Sequence, residues 1–153
     1  IGDMVVDILG RGSVIGEMAV LAGVPRTADV IADTTVTALW MGSTEMNEAM
    51  AESPALAKGL WETAGRRFTE NLLKSQEPYL NLSQWEFRRW LSGGEVVTPA
   101  TGDSLDLYGK VAILLSGSAT VPGADEPLNA ITRLNAREAS FGDGARVWVR
   151  SES

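Results

Sequence analysis

The sequence predicts a mainly β fold with α-helices, in which two β-rich parts flank a helical middle. Short segments rich in Val, Ile and Thr, bounded by Gly and Asp, occur near both ends of the chain, as expected for strands and turns. In the middle, apolar residues recur at a spacing of three to four, which indicates helices. The 153 residues suffice for one ordinary domain or two small ones. We expect two domains, covering residues 1–75 and 76–153.

The first part begins with strand-like sequence. The predicted strands cover residues 4–9, 30–32 and 36–41. Residues 10–12 (Gly-Arg-Gly) predict a turn after the first strand, and residues 33–35 predict a turn between the other two. Because a strand is already under way at Ile1, without an initiator Met, we expect a fragment of a longer protein.

Two helices are predicted in the middle of the chain. The first covers residues 45–51, with Ser43 or Thr44 as its N-cap. The second covers residues 54–74 and carries one apolar stripe, which fits either core packing or a seam between two chains. The stripe consists of Leu56, Leu60, Trp61, Ala64, Phe68 and Leu72.

The second part begins after a linker at residues 76–78. A short helix is predicted up to Leu91, with Ser83 and Glu86 forming a capping box at its start. Gly93 and Gly94 end this helix, and the pattern then returns to strands, with a hairpin turn at residues 116–118. The predicted strands cover residues 95–98, 104–107, 110–115, 119–121, 130–134 and 145–150.

The segment from Gly16 to Val30 carries the most chemistry. A helical turn that follows Gly16 presents free backbone N–H groups, which bind small anions, and Gly lets the backbone approach a ligand closely. Arg26 can grip phosphate oxygens with two parallel hydrogen bonds, and Pro25 stiffens the loop that presents it. A carboxylate such as Glu17 repels phosphate and is better matched to a hydroxyl donor.

This segment resembles the phosphate-binding cassette of the cyclic-nucleotide-binding domain. In that family a Gly-Glu pair opens a short helical turn and a Pro-Arg-(Thr/Ala)-Ala segment closes it, with the nine-residue spacing that separates Glu17 from Arg26 here. The resemblance implies a β-roll (jelly-roll-like) followed by helices, with cAMP or cGMP as ligand. It places Glu17 on the ribose and Arg26 on the phosphate. The segment 16–30 is called the cassette below. The implied binding residues in it are Gly16, Glu17, Met18, Ala19, Arg26, Thr27 and Ala28.

Two residues of this region bear on selectivity and affinity. In some members of the family a Thr at the position of Thr27 hydrogen-bonds guanine, although Thr is also an ordinary strand former. Asp29 stands where the family usually has a small residue. Because side chains alternate along a strand, Asp29 is expected on the same face as Thr27, where its carboxylate would weaken phosphate binding.

The second part resembles the opening strands of the same fold. Gly102-Asp103 and the segment 111–121, which contains Leu114-Leu115-Ser116-Gly117, match the family's Gly-Asp turn and first hairpin. No Gly-Glu followed by Pro-Arg occurs there, and residues 141–143 (Phe-Gly-Asp) have no arginine at the required distance. We therefore expect a second, cassette-less β-roll-like unit with a structural or inhibitory role.

The order of these parts is similar to the cytoplasmic tail of plasma-membrane Na+/H+ antiporters of the salt-overly-sensitive type. The segments that carry this resemblance are residues 12–16, 32–36, 102–106 and 114–118. It implies a regulatory region at the cytoplasmic face of the plasma membrane that gates exchange of Na+ for H+. The implied partners are the transporter body of the same protein and a second copy in a homodimer.

Composition excludes several classes of function. The net charge of −7 argues against nucleic acid as a partner. The chain has no His and no Cys, which removes the usual general base and metal ligands, so we expect no enzyme, no catalytic residue, no metal and no cofactor beyond the nucleotide. The alternatives are a ligand-free interaction module, or the cyclic-nucleotide-binding tail of a channel, a kinase regulatory subunit or a transcription regulator.

Overall fold

The computed structural model describes residues 7–26 and 28–152. Its helices are α1 (Glu17–Ala22), α2 (Ser43–Glu52), α3 (Pro54–Leu73), a 3-10 turn (Tyr79–Asn81) and α4 (Gln84–Leu91). Its strands are β1 (Glu95–Val97), β2 (Ser104–Asp106), β3 (Lys110–Ser116), β4 (Ser118–Thr120), β5 (Leu128–Asn129), β6 (Thr132–Arg133), β7 (Glu138–Phe141) and β8 (Arg146–Ser151). The prediction of a mainly β fold with helices is confirmed.

The strands form two antiparallel sheets of four. The first sheet has the order β1-β8-β3-β6 and the second the order β2-β7-β4-β5. Strand β3 is buried on both faces, so residues 111–115 read as one continuous apolar run. Because successive side chains point to opposite faces, Ile113 packs in the core under the helices while Leu114 packs in the core between the sheets.

Helix α3 lies directly on the first sheet. It begins at Pro54, with the Ser53 hydroxyl accepting a hydrogen bond from the backbone N–H of Leu56, as expected for an N-cap followed by Pro. At Gly65 the helix backbone comes so close that an added Cβ would lie 3.1–3.2 Å from side chains of the sheet. These side chains belong to Val96, Leu115 and Trp148.

Helix α4 is held by a group of aromatic rings. The ring of Trp90 lies 4.7 Å from that of Tyr79, 5.9 Å from that of Phe87 and 5.6 Å from that of Trp148, measured between centroids. Aromatic pairs at such distances add to the free energy of burial. The predicted capping box is confirmed, since the Ser83 side chain and Glu86 satisfy each other's backbone N–H groups.

The predicted apolar stripe of α3 serves core packing except at Leu56, which is exposed. Leu60, Trp61, Ala64 and Phe68 are buried, and Arg146 of β8 covers the Trp61 ring at 4.6 Å. Helix α3 thus shares one core with the first sheet. The division of the chain at residue 75 and the homodimer stay predictions.

The predicted N-cap of α2 is wrong. The helix begins at Ser43, so that Gly42 occupies the cap position and makes no side-chain hydrogen bond. Its backbone is extended there, with φ −71° and ψ 167°, and its carbonyl accepts from the N–H of Met46. The Ser43 and Thr44 hydroxyls therefore lie within the first turn, one and two residues too late to cap it.

The strands predicted before the helices are also wrong where the structure describes them. Residues 7–9, 30–32 and 36–41 have no regular secondary structure, and residues 4–6 lie outside the described part of the chain. Among the described residues no strand pairs with them. A ladder needs a partner whatever the local β propensity, and apolar side chains such as Ile31, Leu39 and Trp40 remain exposed.

The strand predictions for the second part are confirmed in outline, with two corrections. The predicted strand at residues 130–134 shrinks to β6, and β5 and β7 were missed. In strand β7, the buried residues Ala139 and Phe141 alternate with the exposed Glu138 and Ser140. Only two of its four residues are apolar. Such short, mixed segments give a weak sequence signal, and their pairing is set by the neighbouring strands β2 and β4.

Substituting Gly65 tests the close packing of α3 on the sheet. We expect Gly65→Leu to lower the free energy of unfolding by about 1–3 kcal/mol, because the added side chain overpacks a filled contact. Urea denaturation followed by circular dichroism measures this change. The matched control is Gly59→Leu on the same helix, where an added Cβ meets nothing within 4 Å and the better helix former should stabilise by up to about 0.8 kcal/mol. Equal stability of the two variants would contradict the packing.

Candidate functional site

Glycine sets both ends of helix α1. Gly16 precedes the helix with φ 87° and ψ 1°, and Gly23 follows it with φ 64°. These are left-handed conformations that residues with a Cβ adopt at a cost. Glycine at positions 16 and 23 therefore lets the backbone enter and leave α1 without strain.

Glu17, the first residue of α1, is buried with 4% of its surface exposed. Arg67 of α3 reaches it, and the Nη1 group donates to Glu17 Oε1 at 2.5 Å and to the Val14 carbonyl at 2.9 Å. This contact joins residues that are 50 positions apart in the chain. A buried carboxylate is tolerated when a cation pairs with it, and Arg67 supplies that cation.

The second oxygen of Glu17 has no such partner. Oε2 is buried and accepts no hydrogen bond from the described residues. A buried acceptor without a donor is uncommon and costs about 1–3 kcal/mol. The Glu17 carboxylate is therefore held by Arg67 through one oxygen, while the other is buried and accepts no hydrogen bond from the described residues.

Arg26 lies beside the start of α1. A Cβ on Gly16 would be 3.4 Å from Arg26 Nη2 and 3.7 Å from Cζ, so the guanidinium rests against the bare backbone of Gly16. Arg26 is exposed, and it makes no ion pair with any residue that the structure describes. The described structure thus places the Arg26 guanidinium beside the left-handed Gly16, which directly precedes the buried Glu17. The binding role of these residues stays a prediction.

An open depression of the surface, which we call the cavity, adjoins Arg26. Its lining residues are Arg26, Ala28, Asp29, Val30 and Ile31. Of the remaining predicted residues, Met18 and Ala19 are half-buried in α1, and Met18 packs against the core under the helices. Thr27 lies outside the described residues, and its predicted contact with a base stays a prediction.

A second ion pair ties the start of the described chain to α4. Arg88 Nη2 donates to Asp7 Oδ1 at 2.7 Å. This hydrogen bond, more than any other cause, lowers the pKa of Asp7 below its ordinary value, with a smaller attraction from Arg67. The pair therefore stabilises the fold above the unfolded-state pKa of Asp7, and that contribution is lost as the pH falls through the lowered pKa.

Sequence reasoning missed Arg67 and Arg88. Both follow or precede another arginine, and the helical periodicity does not say which of Arg66 and Arg67 turns toward α1. A weak signal exists, because Arg67 adjoins the buried Phe68 while Glu17 needs a cation once it is buried. Identifying the pair required the three-dimensional arrangement of α1 and α3.

Residues 2–53 match the family model of the cyclic nucleotide-binding domain. The match supports a cyclic-nucleotide-binding domain in this segment. It spans the cassette, including Gly16, Glu17 and Arg26, and it ends where α3 begins. The two antiparallel sheets with their helices are consistent with the β-roll fold.

The chain is also similar to a solved structure, the regulatory domain of Toxoplasma gondii PKA in a co-crystal with cAMP. The identity is 18%, and the comparison covers 97% of this chain and 63% of the other, with a TM-score of 0.37. The chain therefore spans less than two thirds of the length of that domain. A geometric likeness this weak carries no argument about the site.

No three side chains among His, Cys, Asp and Glu come together as metal ligands in the described part of the chain. None of the described helices combines the length and the apolar character that crossing a membrane requires.

Removing Arg67 tests the buried pair. We expect Arg67→Met to lower the free energy of unfolding by about 2–3 kcal/mol, because it leaves the buried Glu17 carboxylate without a cation. Urea denaturation at neutral pH measures the loss. The matched control is Arg66→Met, which removes an exposed arginine from the neighbouring position.

A double variant separates the charge from the packing of Arg67. Glu17→Gln combined with Arg67→Met should recover part of the lost stability, since a buried neutral amide needs no cation. Equal losses in Arg66→Met and Arg67→Met would contradict the assigned role of the pair.

Proposed function

We propose that this chain is a regulatory region that binds cAMP or cGMP at its cassette and catalyses no reaction. The observation that carries the proposal is the cluster of Gly16, Glu17 and Arg26, which the fold places together in a segment matching the cyclic-nucleotide-binding family. Each member of the cluster offers what one part of such a ligand requires.

The phosphate is assigned to Arg26 and the backbone at Gly16. The guanidinium is exposed and makes no ion pair within the described chain, so an anion meets no internal competitor for it. Arginine binds phosphate oxygens through two parallel hydrogen bonds. The absence of a Cβ at Gly16 lets a phosphate approach both groups at once.

The ribose is assigned to Glu17. Its Oε1 is occupied by Arg67, and its Oε2 is buried with an unused capacity to accept a hydrogen bond. A ribose hydroxyl is a neutral donor that satisfies this oxygen without adding charge. Since Arg67 already balances the carboxylate, the ligand does not have to supply a cation.

A signal leaves the site through Arg67. The residue belongs to α3, whose opposite side packs at Gly65 against the first sheet. A ligand that bonds to Glu17 competes with or reinforces the Arg67 contact, and so favours one position of α3. The ligand shifts this equilibrium by its difference in affinity for the two positions.

We further propose that the region belongs to the cytoplasmic tail of a Na+/H+ antiporter, acting as a homodimer at the plasma membrane. The sequence segments that resemble the salt-overly-sensitive type support this context. The tail of a channel, a kinase regulatory subunit or a transcription regulator is equally compatible with a cyclic-nucleotide-binding domain.

A ligand-free interaction module is the second candidate function. The observation that favours it is the exposure of large apolar side chains over residues 30–41. Their exposed fractions reach 86% at Ile31, 103% at Leu39 and 87% at Trp40. Exposed apolar groups that lie together mark surfaces that bind proteins.

Calorimetric titration of the chain with cAMP and with cGMP tests the proposal. We expect saturable binding of at least one nucleotide, and Arg26→Glu should abolish it, because a carboxylate then faces the phosphate. Unfolding curves should match the wild type, since Arg26 is exposed.

The matched control is Arg11→Glu, the same charge reversal at an exposed turn residue, which should retain the wild-type affinity. Binding that survives in Arg26→Glu would overturn the phosphate site. No heat with either nucleotide would favour the interaction module.

A further inference from the structure

The cavity beside Arg26 is also lined by a carboxylate. Asp29 and Arg26 line it together, and the other lining residues within the described part of the chain, Ala28, Val30 and Ile31, are apolar. Both charged residues are exposed, and no ion pair joins them in the described structure. The lining of this cavity thus presents one positive and one negative side chain to a ligand.

The charge of Asp29 differs in kind from that of Glu17. Glu17 is buried and paired with Arg67 at 2.5 Å, so its charge is largely balanced within the protein. Asp29 has no such cation in contact among the described residues. Its field therefore acts on whatever anion enters the cavity.

A carboxylate beside the anion site penalises ligands according to their charge. The Coulomb energy between two groups is proportional to the product of their charges. A cyclic phosphate diester carries one negative charge, whereas the phosphate monoester of a 5′-nucleotide carries close to two above its second pKa of about 6. The repulsion from Asp29 is about twice as large for the second ligand.

We infer that Asp29 is a specificity-determining residue that selects singly charged cyclic phosphates against doubly charged phosphate monoesters. This inference rests on the proposed function, because it presumes that the phosphate bound by Arg26 and the Gly16 backbone lies within electrostatic range of the Asp29 carboxylate. Arg26 supplies the attraction that every phosphate shares. Asp29 supplies a repulsion that grows with the charge of the ligand, and it lowers affinity for the cyclic nucleotide to a smaller degree.

Asp29→Asn removes this charge with little change of shape. The affinities of the chain for cAMP and for 5′-AMP are measured by calorimetry and by competition, at low salt and about pH 8, where the monoester is a dianion. We expect the affinity for cAMP to rise about threefold and that for 5′-AMP about tenfold, the square of the first factor. High salt should reduce both gains through screening.

The matched control is Asp33→Asn, which removes an equally exposed carboxylate from the same segment but outside the cavity lining. It should change neither affinity. Equal increases in affinity for cAMP and 5′-AMP in Asp29→Asn would overturn the selection by charge. Unchanged affinities would also overturn it, and so would a failure of 5′-AMP to compete with cAMP in that variant.

The two proposals fail in different ways. A wild-type chain that binds neither cyclic nucleotide overturns the proposed function, and the inference with it. If the wild-type chain binds cAMP through Arg26 and Asp29→Asn discriminates against 5′-AMP equally well, only the role of Asp29 is overturned.

Discussion

The ion pair between Glu17 and Arg67 is the interaction on which the site depends. It fixes Glu17, the first residue of α1, to Arg67 of α3, and it offsets the free-energy cost of burying the Glu17 carboxylate. Without Arg67, Glu17 would be driven toward solvent and the turn at Gly16 would lose its anchor. The position of Arg26, which rests on Gly16, depends on the same anchor.

Helix α3 connects this anchor to the rest of the molecule. One side carries Arg67, and another presents Gly65 to Val96, Leu115 and Trp148 of the first sheet. The close approach at Gly65 leaves no room for the helix to slide without moving the sheet, because packed cores adopt discrete arrangements rather than deforming continuously. Under the proposed function, a displacement of the cassette would therefore be passed through α3 to the first sheet.

Local chemistry made part of this structure predictable. The start of α3 at Pro54, the Ser83–Glu86 capping box and the helical turn that follows Gly16 all follow from residue types at fixed spacings. Such signals depend on neighbours in sequence, and the sequence contains them completely.

The predictions that were wrong or incomplete mostly concerned residues whose partners are distant in sequence. Residues 30–32 and 36–41 have strand-like composition, but no described strand pairs with them. The choice of Arg67 over Arg66 required knowing where α1 lies, and β7 is defined by β2 and β4 rather than by its own residues. At α2, the backbone of Gly42 took the cap position that the neighbouring hydroxyls were expected to fill.

The exposed stretch at residues 30–41 has a consequence for how the chain behaves in concentrated solution. Six of its large apolar side chains are exposed, it lacks basic residues, and it contains no Pro, which are features of segments that form intermolecular β-sheets. Asp29 at its border and Asp33 within it act as gatekeepers, since like charges on stacked copies repel. The carboxylate that tunes a ligand site therefore also opposes aggregation, and a chain that lost both acids would gain affinity for phosphate at the expense of solubility.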